Sequence, residues 1–141
     1  MYGLCIWLTF WLNMPLEHQV DHGKKLVLVT GRGIVTDMDF FNYQRNVWSQ
    51  PDVAGYDELV DMTAVIKLDP VNPDRLRELA SLSASMDDPG HANKLAIVAK
   101  EVLHFGLGRM YQAYRDLSPH SKKQVSVFDS REKALQWLGK A

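Results

Sequence analysis

Residues 26–36 read LVLVTGRGIVT, a β-branched run followed by two glycines and a threonine. Residues 26–30 form an unbroken β-rich stretch, which predicts a strand. Gly31-Arg32-Gly33 is expected to form the turn leaving that strand. It lacks the third glycine of a dinucleotide-binding fingerprint and the Gly-Lys-Ser/Thr of a phosphate-binding loop. Thr36 then supplies an N-cap, with Asp37 and Asp39 in the first turn where the helix dipole favours acids.

Working outward, residues 16–21 alternate weakly and His22-Gly23-Lys24 makes a turn, so the sheet is entered by a hairpin. On the other side, Phe40, Phe41, Tyr43, Val47 and Trp48 carry a helix to Ser49, and Pro51 stops it. Residues 56–65 (YDELVDMTAV) predict a second buried strand with Asp61 accepting hydrogen bonds near its end. Asn72-Pro73-Asp74 starts a helix that continues through Leu76, Leu79, Ala80 and Ser83, and Asp88-Pro89-Gly90 breaks it. Residues 95–99 (LAIVA) are a third buried strand. A long helix follows over residues 101–117, with Leu103, Leu107, Met110, Tyr114 and Leu117 expected on its buried side. Residues 125–128 form the last strand; Ser130 caps a final helix carrying Ala134, Leu135, Trp137 and Leu138, and Gly139 ends it.

The resulting order, β-β-α-β-α-β-α-β-α, predicts an α/β fold. Its sheet is open and mainly parallel, with about five strands entered by an antiparallel hairpin and about four covering helices. At 141 residues the length prior is one domain. A core of that size needs no metal or disulfide to hold it. The single cysteine, Cys5, excludes a disulfide framework and a multi-cysteine zinc site, and points to a reducing, cytoplasmic compartment. The formal net charge of -1 argues against general nucleic-acid binding. That total hides an asymmetry: residues 1–70 carry 5 basic and 9 acidic side chains, and residues 71–141 carry 11 and 8. A basic face near the C-terminal helices would suit an acidic partner or an anionic lipid surface.

Residues 2–12 (YGLCIWLTFWL) carry no charge, but as a helix they would reach only about 16 Å, half of a bilayer core. They also lack the basic start of a signal peptide. The expected division is residues 1–13 as a hydrophobic extension, foreign to the natural chain, and residues 14–141 as a single domain starting at Met14. A shallow interfacial anchor and an added strand are the alternatives.

Taken together, LVLVTGRGIVT, DELVDMTAV followed by LDP, KLAIVA, FGLGRMYQAY and VSVFDSREKALQWLG resemble the STAS superfamily. Within it they are most similar to the small bacterial SpoIIAA-like domains. The resemblance covers about residues 14–139 and implies an open sheet with helices largely on one side, a plan related to the Sec14-like lipid-binding domains. It also implies a phosphorylation switch at a serine following the loop aspartate. Here Asp69 takes the aspartate's place and Pro70 and Val71 follow it, neither with a hydroxyl, so no phosphorylation site is expected there.

No nucleophile-elbow motif occurs, and His18, His22, His91, His104 and His120 form neither an i, i+4 pair nor an HExxH pattern. No catalytic residue, metal site or cofactor is therefore expected. The expected role is a non-catalytic regulatory or protein-interaction domain. The alternative is a carrier or sensor of a small apolar or lipid-like ligand held between helices and sheet. A homodimer and peripheral membrane contact stay open. The candidate ligand-contacting residues are Phe41, Trp48, His104, Gly106, Arg109, Met110 and Tyr114. Gly106 and Gly108 each cost a helix about 1 kcal/mol against alanine. Gly106, one turn from Leu103 and Met110, is expected to be the close-packed one. The two roles make different demands: a ligand needs an apolar cavity with a few converging polar groups, a partner needs an exposed apolar patch.

Overall fold

Strand β1 (Leu16–Asp21) turns back into strand β2 (Leu26–Val35), pairing antiparallel from Leu16 opposite Gly31 to Asp21 opposite Leu26. The computed structural model describes residues 14–69, 72–119 and 121–141. The readings of residues 1–13 and of the Pro70–Val71 position lie outside them. Helix α1 (Asp37–Val47), a short 3-10 turn (Pro51–Val53), strand β3 (Asp57–Leu68), helix α2 (Pro73–Met86) and strand β4 (Lys94–Val98) follow. Helix α3 (Val102–Asp116), strand β5 (Gln124–Phe128) and helix α4 (Arg131–Leu138) complete the chain. The sheet runs β1-β2-β3-β4-β5 in space, and every pairing after the first is parallel.

Alternation along the strands sorts side chains to two faces. Val27 and Val29 of β2, Val60 and Met62 of β3, Ile97 of β4 and Val127 of β5 join the larger core with Val47, Ala80 and Tyr111 of the first three helices. Leu26, Leu59, Ala96 and Val98 point the other way, against Ala134 and Leu138 of α4. Three helices thus cover one face and one covers the other.

The helix starts follow the sequence reading. Thr36 and Asp39 form a reciprocal capping box on α1. Asn72 and Ser130 accept the first-turn N–H groups of α2 and α4, and Gly139 closes α4 in the left-handed conformation.

Gly31-Arg32-Gly33 is not a turn. β2 passes straight through it to Val35, because the Arg32 N–H donates to the Pro15 carbonyl at 2.9 Å while Arg32 and Gly33 pair with Ala64 and Val65 of β3. Gly31 is required there: a Cβ would lie 2.7 Å from the Val65 side chain. β3 likewise outruns its expected end at Val65 and continues to Leu68. Register shifts between Thr30 and Arg32 and between Gly33 and Ile34 give β3 its extra residues. Asp61 stands inside the strand at the first shift, accepting from the Thr63 backbone N–H at 2.9 Å.

The buried stripe of α3 is rotated from the expected one. His104, Gly108, Tyr111 and Arg115 are buried, whereas Leu103 and Leu117 are exposed. The reason is the close approach of Gly108 to β5. A Cβ on it would sit 3.2 Å from Val127 Cγ1 and 3.4 Å from Ile97 Cγ2, but one on Gly106 would meet nothing within 4 Å. The expectation about the two glycines is therefore reversed. Val127 is β-branched and fixed in the sheet ladder, so it has little freedom to yield. Gly108→Ala should lower stability by about 1 kcal/mol through overpacking. Gly106→Ala should raise it by about 0.4–1 kcal/mol. Urea midpoints at unchanged m-value measure both.

Candidate functional site

Three helical faces and two strands converge on one hollow. Phe40, Tyr43 and Gln44 of α1 project at i, i+3 and i+4; Leu76, Leu79 and Ser83 of α2 at i, i+3 and i+7; and His104, Leu107, Gly108 and Tyr111 of α3 at i, i+3, i+4 and i+7. Glu58, Val60 and Met62 of β3, at the two-residue strand period, form the floor with Leu95 and Ile97 of β4. The hollow measures about 110 Å³ and its wall is mostly aliphatic and aromatic carbon. A second hollow of about 70 Å³ adjoins it, sharing Phe40, Leu68, Leu76, Leu79 and Leu107.

Polar groups close the end near the start of β3. Glu58 and Lys123 are both buried, each side chain 5% exposed, with Nζ and Oε1 2.9 Å apart. Tyr43 donates its hydroxyl to Glu58 Oε2 at 2.6 Å. The Trp48 indole N–H donates to the Tyr43 oxygen at 2.9 Å and reaches Glu58 Oε2 at 3.3 Å. The Lys123 ammonium lies 4.1 Å from the centre of the Trp48 ring. Both carboxylate oxygens are thus occupied, as a buried ion pair requires if its attraction is to offset desolvation. Burial, followed by the Glu58 charge, pushes the Tyr43 phenol well above its ordinary range. Burial likewise pushes Tyr111 up to about 12, so both phenols are neutral proton holders at ordinary pH.

Along the helical wall Ser83 donates to Gln44 Oε1 at 3.0 Å, joining α2 to α1 across the hollow. Arg115, 1% exposed, pairs with Asp87 at 2.8 Å, and the Ser121 hydroxyl also donates to Asp87. This second buried pair fixes the end of α3 to the end of α2.

Among the residues expected to contact a ligand, His104 lies on the wall of the main hollow. Phe41 lines the adjoining one, with the Arg75 guanidinium 4.3 Å from its ring centre. Trp48 belongs to the polar closure rather than to the wall. Gly106 and Arg109 are exposed on the opposite side of α3, and Met110 and Tyr114 are half-buried along its flank. These four are not brought together with the others. The sequence reading missed Tyr43, Gln44, Glu58, Leu79 and Ser83 as wall residues. Their signal was present, in helical spacing along α1 and α2 and in the second of two adjacent acids, Asp57-Glu58, set directly before the apolar Leu59-Val60.

Among the described residues no group of histidine, cysteine and acidic side chains could hold a metal ion, and no helix is long and apolar enough to cross a membrane. No family model matches the sequence, and no curated protein matches it. A solved structure does resemble it: an uncharacterized protein from the DUF3478 family with a SpoIIAA-like fold, from Shewanella loihica PV-4. The alignment covers 87% of this chain and 91% of that one at a TM-score of 0.55 and 14% identity. The fold is SpoIIAA-like. That likeness bears out the expected α/β fold, a mainly parallel five-stranded sheet entered by an antiparallel hairpin with four helices, and at this identity it speaks of the fold alone.

In this SpoIIAA-like domain the Glu58–Lys123 pair makes a sharp prediction. Lys123→Met strands a buried carboxylate and should cost about 3–5 kcal/mol. Adding Glu58→Gln removes the stranded charge, so the double variant should be more stable than the sum of the two single losses predicts. Chemical denaturation of the four proteins in the cycle measures the coupling.

Proposed function

We propose that this domain is a non-catalytic binding module that holds a small apolar or amphipathic molecule between its three-helix layer and the sheet. The observation that carries the reading is the partly open hollow of about 110 Å³, lined mostly by carbon and closed at one end by polar groups that satisfy one another. Empty apolar space in a core forfeits contacts that a ligand of the right shape supplies. The wall offers no nucleophile activated by a neighbouring base, which supports binding over chemistry. Glu58 is fully engaged by Lys123, Tyr43 and Trp48, and the phenols stay protonated.

A second reading, docking of a protein partner, is favoured by a separate observation. Ile66 is 82% exposed and Val102 86% exposed, and Ile34, Met38 and Leu103 are also exposed, all at the carboxyl ends of parallel strands or the helix starts that follow them. Such residues at one end of the sheet suit an interaction surface.

Native mass spectrometry of the protein purified from cells separates the readings. Ligand binding predicts a retained mass of a few heavy atoms, lost in Leu79→Trp, where the indole fills the hollow while the domain stays folded. A stoichiometric protein partner, retained by Leu79→Trp and lost in Ile66→Asp, would overturn the cavity reading in favour of the second.

A further inference from the structure

β2 outruns its antiparallel partner. β1 pairs with it up to Leu16 opposite Gly31, and the Arg32 N–H still donates to the Pro15 carbonyl at 2.9 Å in the same register. Pro15 has no N–H to return, which fits a place at a sheet edge. β2 then runs on to Val35 with β3 on one side, Ile34 pairing with Lys67 and Val35 with Leu68. Among the described residues no strand pairs with Ile34 on the other side. Its side chain there is 59% exposed. An apolar edge of this kind is a template for a further strand.

The neighbouring residue shows which way the Ile34 backbone points. The Val35 carbonyl accepts the Asp69 N–H at 3.0 Å, so Val35 turns its polar groups to the β3 side. Consecutive residues of a strand alternate, so those of Ile34 face the side that β1 occupies lower down. Bonded pairs in an antiparallel ladder recur at every second residue. Arg32 with Pro15 is one such pair, and the next in register is Ile34 with residue 13.

The chain itself arrives at this edge. Met14 is the first described residue, and ahead of it residues 2–12 (YGLCIWLTFWL) carry no charge. Ile6, Trp7, Thr9, Phe10 and Trp11 are strand-forming types. We propose that these residues are the occupant of the edge: the chain ahead of Met14 prolongs β1 antiparallel along β2, with Asn13 opposite Ile34 and Leu12 opposite Val35. Trp11 then stands diagonal to Ile34 on the same face, within reach of a large aromatic ring. A strand from a second copy or another protein competes at a disadvantage. Residues 1–13 are joined to β1 with no intervening linker, at an effective concentration of about millimolar or more. This assignment makes the segment part of the sheet rather than a foreign extension. It withdraws Ile34 from the surface open to a protein partner, leaves Ile66, Val102 and Leu103 on it, and does not depend on the hollow.

Amide hydrogen exchange of the full chain, followed residue by residue by NMR, tests the register. The Asn13 and Ile34 N–H groups should both exchange about tenfold or more slowly than in an open chain, because each donates to the other's carbonyl. Asn13→Pro removes one of the two donors. It should return the Ile34 amide to the open-chain rate while Val29 and Val60, deep in the sheet, stay protected. Open-chain rates at both positions in the unaltered protein overturn the proposal. Protection of Ile34 without Asn13 overturns the choice of occupant, since some other group then covers the edge. Protection of both that fades on dilution assigns the strand to a second copy and overturns the pairing within one chain. The rates in the unaltered protein decide the matter even if Asn13→Pro fails to fold.

Discussion

Glu58 and Lys123 leave water together, and much of the domain is arranged around that fact. Two opposite charges 2.9 Å apart in a poorly polarisable interior attract strongly, but each loses its hydration. Tyr43 and Trp48 supply the hydrogen bonds that water would have given the carboxylate. The pair also fixes register. Glu58 pairs with Leu95 of β4, and Lys123 stands just before β5, where Gln124 pairs with Lys94, so the bond spans β4 from above. A one-residue slip of β3 would turn Glu58 to the α4 face, among Leu26, Ala96 and Val98, with no cation to meet it. Backbone ladders alone tolerate such slips; a buried charge does not.

With the amino ends of the strands locked, the opposite end is shaped differently. β4 stops at Val98, opposite Asp61, whereas β3 goes on to Leu68 paired only with β2. A regular strand would turn Val65 away from Met62. The register shifts instead keep Met62, Val65 and Leu68 together on the helix-covered face and leave Ile66 outside. The same device therefore brings Met62 and Leu68 to the hollow and creates the exposed residue beside it.

The fold was legible because each strand and helix carries its own local signal. The β-rich runs, the caps at Thr36, Asn72 and Ser130, and the breakers at Pro51 and Gly139 need no knowledge of neighbours. What escaped was set by contacts distant in sequence. Gly31 and Gly33 look like a turn until β3 lies alongside them. The buried face of α3 follows Gly108, because β5 comes close there, although Leu103 and Leu117 are more apolar than His104 and Arg115. Apolar periodicity chose the wrong stripe because Arg115 on the true one is engaged at a distance by Asp87, and His104 lies on the wall of the hollow. Of the expected site, His104 and Phe41 were found by residue type, and Glu58 and Tyr43 were missed because their partner, Lys123, lies 65 residues from the acid.

The hollow itself has a thermodynamic consequence. Side chains that border an unfilled hollow of about 110 Å³ lack packing partners on one side and forfeit dispersion contacts that an occupant would supply. The side chains around it are not short of alternatives: Leu76, Leu79 and Leu107 all reach its edge, and a larger residue at any of them would close it. The space survives beside a network in which nearly every polar group is satisfied, so loose design is a poor account of it. A molecule that binds the folded state alone adds stability that rises with the logarithm of its concentration over its dissociation constant, about 2.7 kcal/mol at a hundredfold excess. Were a molecule bound there as proposed, folding would be coupled to its supply.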